Sequence, residues 1–176
     1  MQELKSKTIQ LRLVEVDDAS FIYTLRCDSR YNKFLSYVNG GVSEQEEWIK
    51  RYKESEGRGE QFYFIIETPD LKPCGTVRVY DFNDKSFCWG SWILNENKTK
   101  TAALEAALLV YQFGFDCLGF VESHFDVRKD NEKVIRFHEK FGAKKIAEDS
   151  ENYYFSISKE QLSIVRKKYN RIIGVK

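Results

Sequence analysis

The chain has 176 residues, of which 42% are hydrophobic and 15% aromatic, enough to form one domain with a sizeable core. Its 28 Lys and Arg residues nearly balance its 27 Asp and Glu residues, so no overall field attracts nucleic acid or anionic lipid. Because it contains neither a run of 18 apolar residues nor an apolar signal core, we expect a single cytoplasmic domain over residues 1–176 and no membrane span.

The cysteines are dispersed along the chain. Cys27, Cys74, Cys88 and Cys117 form no CxxC pair, and the chain has only two histidines to complete a metal shell. This spacing is not that of a zinc site. We therefore expect buried thiols in a reducing compartment and no bound metal.

The first part of the chain predicts a strand and two helices. Residues Thr8–Val14 alternate polar and apolar side chains, as a half-buried strand does. Asp17 offers an N-cap for a helix, and Ser43 with Glu46 forms a capping-box pattern that predicts a second helix. The loop Arg30–Gly41 between these helices is expected to border a groove.

The central part predicts a sheet and a helix that packs on it. The apolar runs QFYFIIE, CGTVRVYDF and SFCWGSWIL are separated by turn residues, which predicts an antiparallel meander. Apolar residues recur at helical spacing over 101–117 and give a wide apolar surface. A helix here would connect the third run to the next strand as a right-handed crossover and make that strand pair parallel.

The last part predicts alternating short elements. A strand over 120–127 precedes a short helix that begins at Asn131 and ends at Phe141. Residues 144–146 and 153–157 can form a hairpin, and a polar helix over roughly 159–170 closes the chain. The expected fold class is mixed α/β, with a mainly antiparallel twisted sheet and flanking helices.

A cationic turn directly precedes the central helix. Lys98, Thr99, Lys100 and Thr101 lie where a helix start presents free backbone N–H groups. Positive charge and a helix N-terminus together favour an anion. The turn therefore predicts a site for a nucleotide-like diphosphate, and the alternative is a solvated turn whose lysines only favour solubility.

The order of elements and three segments resemble the GCN5-related N-acetyltransferase (GNAT) superfamily. The segments are LRLVEVDDASFIYTLR, GSWILNENKTKTAALEA and NEKVIRFHEKFGA, and the resemblance spans nearly the whole chain. The closest branch includes the ribosomal-protein N-terminal acetyltransferases. The resemblance implies the acyl-CoA N-acyltransferase fold, with a cofactor cleft between splayed parallel strands. It also implies direct transfer of an acetyl group from acetyl-CoA to a primary amine.

The phosphate turn departs from the family pattern, because Thr99 and Thr101 occupy the places of two glycines. Glycine permits close backbone approach, whereas threonine is β-branched and stiff. The two hydroxyls and the ammonium groups of Lys98 and Lys100 could instead donate to phosphate oxygens. The resemblance assigns to the cofactor site Trp92, Ile93, Leu94, Lys98, Thr99, Lys100, Thr101, Ala102, Ala103 and Asn131.

The resemblance also suggests roles in catalysis. A backbone N–H within Ser91–Leu94 would hold the oxyanion. His138 occupies the place of a family tyrosine and is predicted to protonate the leaving thiolate, since its reference pKa of about 6.5 leaves a protonated fraction; the alternative is a packing histidine. Asp81 is predicted to be a water-relayed base, with turn chemistry as its alternative. Asn131 could contact the cofactor, cap the helix, or do both.

In this superfamily the first helices, their loop and the last hairpin set the acceptor. Arg30, Tyr31, Tyr37 and Trp89 are predicted to bind it, because aromatic rings stack on sugars and bases and arginine holds phosphate. With the RFHEKFGA ending, which resembles GNAT proteins among bacterial surface-polysaccharide enzymes, this favours a nucleotide-linked amino sugar. The alternatives are a protein N-terminus as acceptor and a catalytically poor binding module. A homodimer is possible.

Overall fold

The computed structural model describes residues 3–35, 38 and 40–173, with side chains through residue 169. Within these residues one sheet of eight strands is formed, in the order β1-β2-β3-β4-β5-β6-β8-β7. Its strands are β1 Leu4–Lys5, β2 Gln10–Leu13, β3 Phe62–Glu67, β4 Pro73–Tyr80, β5 Ser86–Leu94, β6 Glu122–Arg128, β7 Lys144–Glu148 and β8 Asn152–Ser158. The helices are α1 Ala19–Cys27, α2 Val42–Gly57, α3 Ala102–Gln112, α4 Glu132–Lys140 and α5 Lys159–Ile173.

The pairing of β5 with β6 is the one parallel contact in the sheet that the structure describes. It consists of two residue pairs, Ser86 with Glu122 and Phe87 with Ser123. The neighbouring pairs β3–β4, β4–β5 and β6–β8 are antiparallel. The predicted meander, the parallel pair and the mixed α/β class are therefore confirmed. Beyond Phe87 the two central strands separate, which opens the sheet.

A bulge in β5 marks the place where the sheet opens. The register of β4 with β5 shifts between Thr76 and Arg78, and Ser91 on the bulged strand has a φ of 47°. The Thr76 hydroxyl donates to the Ser91 carbonyl oxygen at 3.0 Å and so fixes this irregular backbone. A bulge bends its strand and removes ladder pairing locally.

The base of the parallel pair is held by a close contact with the end of α3. Residues Phe113–Cys117 continue this helix as a π turn that includes Gly114. A Cβ at Gly114 would lie 2.2 Å from ring carbons of Phe87, so this position requires glycine for close approach. The Phe87 ring also packs against Phe115, with ring centroids 5.4 Å apart. The strands are thereby pinned where they pair.

The start of α1 differs from the prediction. A 3-10 turn over Val16–Asp18 precedes α1, and Asp17 is not its N-cap. The carboxylate of Asp18 accepts from the Arg12 guanidinium at 2.7 Å, and Arg12 also contacts Glu67 at 2.6 Å. Asp18 therefore stands at the start of α1 in place of Asp17, and its carboxylate ties α1 to β2 and, through Arg12, to β3.

The start of α2 lies two residues earlier than the capping-box pattern predicted. The helix begins at Val42, and the Gly41 N–H donates to the Glu44 carboxylate at 2.7 Å. Ser43 and Glu46 are thus inside the helix and the predicted capping box is wrong. The physical reason is that a first-turn glutamate can satisfy the free N–H without a serine.

Two of the cysteines are exposed. Cys74 and Cys88 are buried as predicted, but Cys27 and Cys117 are not, because they end α1 and the π turn at the surface. Across the part of the chain that the structure describes, no helix combines the length and apolarity needed to cross a membrane.

Candidate active site

A cavity of about 650 Å³ lies where β5 and β6 separate. Its walls come from β5, β6, the start of α4 and the segment that follows α1. The cavity is lined by half of the residues that the sequence placed in the catalytic, cofactor and acceptor sites. These are Arg30, Tyr31, Trp89, Trp92, Ile93, Leu94, Asn131 and His138.

The free edge of β5 forms the backbone wall of the cavity. From Cys88 onward, β5 has no described partner on β6, whereas β4 still pairs with its other edge. Strand N–H and C=O groups without a ladder partner are strong hydrogen-bonding groups. The segment Trp92–Leu94 lines the cavity, as predicted for residues beside the cofactor arm. An extended ligand could pair with this edge as an added strand.

Asn131 lines the cavity at the start of α4. It occupies the N-cap position, but its side chain makes no capping hydrogen bond. Its backbone carbonyl accepts from the N–H groups of Val134 and Ile135, each at 3.1 Å. The alternative that this side chain caps the helix is therefore wrong, and its amide is available to a ligand.

His138 is enclosed by aromatic rings on the cavity wall. It is 5% exposed, and its ring centroid lies 5.3 Å from Trp89 and 4.2 Å from Phe125. Its Nδ1 is buried and has no hydrogen-bond partner among the described residues. Burial lowers the pKa of His138 to about 3. The expected protonated fraction is therefore lost, and the imidazole is neutral at neutral pH.

The phosphate turn, residues 98–101, is anchored to a buried glutamate. Glu105 is 0% exposed, and its carboxylate accepts from the Thr101 hydroxyl at 2.5 Å and the Thr8 hydroxyl at 2.6 Å. Because the single Thr8 hydroxyl proton is directed to Glu105, Thr99 must donate in the 2.6 Å contact between the Thr8 and Thr99 hydroxyls. The hydroxyl protons of Thr99 and Thr101 are therefore both used within the protein, and neither hydroxyl can donate to a phosphate oxygen in this arrangement.

The remaining donors of the turn are its lysines and backbone N–H groups. Lys98 and Lys100 are exposed, and the Lys98 ammonium lies 3.4 Å from the Asn95 carbonyl oxygen. The first backbone bond of α3 runs from the Glu105 N–H to the Thr101 carbonyl. Of the first-turn N–H groups that precede this bond, that of Ala102 donates to the Thr99 carbonyl oxygen at 3.3 Å, and another is that of the half-buried Ala103. The turn residues 98–101, Ala102 and Ala103 do not line the cavity itself.

Asp81 lies outside the cavity wall. Its side chain is 72% exposed and contacts His124 Nε2 at 3.1 Å, while His124 Nδ1 is 2.5 Å from the Ser86 hydroxyl. Asp126 lines the cavity instead and was missed by the sequence analysis. The alternation of buried Phe125 and Val127 with Asp126 along β6 was the signal available.

Arg30 and Tyr31, two of the predicted acceptor residues, both contact Glu96, which lies just before the phosphate turn. Arg30 contacts the Asp28 carboxylate at 2.6 Å and Glu96 at 3.6 Å, so its charge is already matched by acids. The Tyr31 hydroxyl also hydrogen-bonds to Glu96. Tyr37 lies outside the described residues.

The splayed strands, the bulged β5 and the helix start that follows it define an acyl-CoA N-acyltransferase fold. The family profile described as acetyltransferase (GNAT) domain matches residues 8–144. The chain belongs to the GNAT acetyltransferase family.

Solved structures support this assignment. One, described as apo FdhC, a nucleotide-linked sugar GNAT, is 53% identical over 97% of each chain, with a TM-score of 0.91. A spermidine N-acetyltransferase from Vibrio cholerae in complex with CoA and spermine is 18% identical over 88% of this chain and 98% of that one, with a TM-score of 0.77. A ribosomal-protein-S5-alanine acetyltransferase from Vibrio fischeri is 16% identical over 90% and 97%, also at 0.77. The last two show the fold alone. No curated protein compared with the chain matches it significantly.

Proposed function

We propose that the protein transfers an acetyl group from acetyl-CoA to the primary amine of a nucleotide-linked amino sugar. The observation that carries this proposal is the 53% identity, over 97% of each chain, to a nucleotide-linked sugar GNAT. A cavity of about 650 Å³ beside an open strand edge supports it, because it offers room for an acyl arm and an acceptor.

The described residues are compatible with acetyl-CoA, which supplies an activated acetyl thioester when bound. The open edge of β5 and the side-chain amide of Asn131, which makes no capping hydrogen bond, would hold the extended arm of acetyl-CoA. The start of α3, with Lys98 and Lys100, would hold the diphosphate. Backbone N–H groups within Ser91–Leu94 would stabilise negative charge on the carbonyl oxygen.

His138 has a different role from the one that its ordinary pKa suggested. A neutral imidazole keeps one N–H and can donate a hydrogen bond to the departing sulfur without giving up its proton. Its aromatic neighbours Trp89 and Phe125 exclude water from this part of the cavity. Exclusion of water strengthens each polar contact in the site.

The acceptor would enter beside the loop that follows α1. Tyr31 lines this part of the cavity and offers a ring face to a sugar or base, whereas Trp89 is 5% exposed and packs against other rings. The Arg30 guanidinium packs 5.0 Å from the Tyr31 ring centroid, within the same loop. Cytoplasmic location and a homodimer stay predictions.

The test is an acceptor screen that measures thiol release from acetyl-CoA. The acceptors are a nucleotide-linked amino sugar, spermidine and a peptide that begins with alanine, and the control is the same nucleotide sugar with a hydroxyl in place of its amine. We expect kcat/KM for the amino sugar to exceed that for either other amine by about 100-fold. Preference for spermidine or the peptide would refute the proposed acceptor. Binding of acetyl-CoA without turnover of any amine would favour the binding module.

A further inference from the structure

One acidic side chain stands among cations on the cavity wall. Of the described residues that line the cavity, Arg26, Arg30, Arg128 and Lys133 are cationic and only Asp126 carries a carboxylate. An alkyl amine such as that of lysine, with a reference pKa of about 10.4, is protonated at neutral pH. An ammonium acceptor therefore meets one anionic side chain on this wall, and it must lose a proton before it can attack.

Asp126 lies on the part of β6 that has separated from β5. The parallel register ends at the pair Phe87 and Ser123, and beyond it Gly90 on β5 and Asp126 on β6 both line the cavity. Gly90 directly precedes Ser91, whose φ of 47° marks the irregular backbone. At this level the strands have separated and both line the cavity. The carboxylate and the backbone segment expected to hold the carbonyl oxygen thus line the same cavity.

The charge of Asp126 reaches other side chains of the same wall. Burial raises the pKa of Cys88 to about 11, and the negative charges of Asp126 and Asp81 contribute in the same direction. Burial also raises the pKa of Tyr80, and Cys88 and Asp126 add to that rise. Tyr80 and Cys88 both line the cavity. Asp126 therefore acts electrostatically on the space that an acceptor would enter.

Asp126 is also available, unlike the other carboxylates near the cavity. Asp28 and Glu96 contact Arg30, and Asp81 contacts His124. The salt bridges formed within the described ranges do not include Asp126, and its residue is exposed. An exposed carboxylate without a fixed cation can exchange a proton with a ligand and then with solvent.

We infer that Asp126 binds the acceptor ammonium and accepts one of its protons, an inference that rests on the proposed function. The proton moves from nitrogen to an Asp126 oxygen, and the freed nitrogen lone pair forms the C–N bond to the acetyl carbon. The C–S bond breaks with its electron pair on sulfur. The second nitrogen proton passes to that sulfur, and Asp126 releases its proton to solvent. The ammonium acceptor and acetyl-CoA are thus converted to one amide, one thiol and one released proton.

The test combines the Asp126→Asn variant with two ligands in the presence of CoA. Titration calorimetry measures binding of the nucleotide-linked amino sugar and of its analogue with a hydroxyl in place of the amine. The matched control is Asp130→Asn, an exposed aspartate that contacts Arg128 and does not line the cavity. Asp81→Asn tests the base that the sequence predicted. Acetyl-CoA affinity of each variant reports whether its fold and cofactor site are intact.

We expect Asp126→Asn to weaken binding of the amino ligand about tenfold, and that of the hydroxyl analogue less than about twofold. It should also lower kcat about 100-fold, whereas Asp130→Asn and Asp81→Asn keep both values. Equal losses for the two ligands, or unchanged binding and kcat, would overturn the inference.

If the wild type acetylates spermidine or the peptide instead, the proposed acceptor fails and the same cycle is run with that amine and its hydroxyl analogue. If it acetylates none, both proposals fail.

Discussion

Thr8 donates both its backbone N–H and its hydroxyl to the carboxylate of Glu105, at 2.8 and 2.6 Å. This contact joins the segment before β2 to the first turn of α3. It places a buried negative charge under the phosphate turn, and it uses the threonines that replace the family glycines. The turn is therefore shaped by hydrogen bonds instead of by glycine flexibility.

Replacement of Glu105 by Gln should weaken this anchor. We expect a loss of about 2 kcal/mol in the free energy of unfolding, because hydrogen bonds to a buried charged group are lost or weakened. Urea unfolding measures it, with Glu139→Gln on the exposed face of α4 as the control. An equal and small effect of the two changes would contradict the anchor.

The same variant should change the response to acid. Burial alone would raise the pKa of Glu105, but the bonds from Thr101 and Thr8 outweigh it, and the pKa is lowered. A lowered folded pKa gives stability that is present above the ordinary glutamate value and lost as pH falls through the folded one. We therefore expect the wild type to lose more stability than Glu105→Gln when pH falls below about 4.5. If the free energy of unfolding fell equally with pH in the two proteins, the lowered pKa of Glu105 would be contradicted.

His138 should make the protein sensitive to mild acid. Its folded pKa is about 3, so below the unfolded value of about 6.5 the unfolded chain binds a proton that the native state does not. Stability is thus full above pH 6.5 and declines as pH falls toward 3. Between pH 7 and pH 5, the titration of His138 should lower the free energy of unfolding by about 2 kcal/mol.

His138→Phe removes that titration and keeps an aromatic ring beside Trp89 and Phe125. We expect its free energy of unfolding to change less between pH 7 and 5 than that of the wild type, by about 2 kcal/mol. Acidic groups and His124 are common to both proteins, so they cancel in the comparison. Identical pH dependence would show that His138 titrates normally.

Gly114→Ala tests the contact that pins the parallel strands. The added methyl would lie 2.2 Å from the Phe87 ring, and we expect a loss of about 2 kcal/mol in stability. Gly57→Ala is the control, since its Cβ would meet nothing within 4 Å and should be neutral or stabilising by up to about 1 kcal/mol. Thermal and urea unfolding of both variants decide it. The same sign of change in both would contradict the contact.

The sequence could predict what local patterns determine. Apolar periodicity indicated the meander and α3, and the family motif directed attention to Trp92–Leu94 and Asn131, which line the cavity. The partner of Glu105 could not be foreseen, because Thr8 is 97 residues away along the chain. The charge state of His138 depends on burial by rings from β5 and β6.

Asp126 shows the same limit at the candidate site. Alternation along β6 indicates which residues share a face, but only the separation of β5 from β6 makes this carboxylate part of a cavity wall. Asp81 lies at the end of β4 and its sequence neighbours resemble a site, yet it contacts His124 outside that wall. Only tertiary geometry distinguishes the positions of these two aspartates.

The central claim is that the open β5 edge and the phosphate turn bind acetyl-CoA, and its most direct test is calorimetric titration of the wild type with that ligand. Asn131→Ala and the double variant Lys98→Ala/Lys100→Ala are titrated beside it, with Lys144→Ala/Lys167→Ala as a charge-matched control on exposed positions. We expect micromolar binding that the first two variants each weaken about tenfold and the control leaves unchanged. Absence of wild-type binding at millimolar ligand, or equal affinity in all four proteins, would contradict the account.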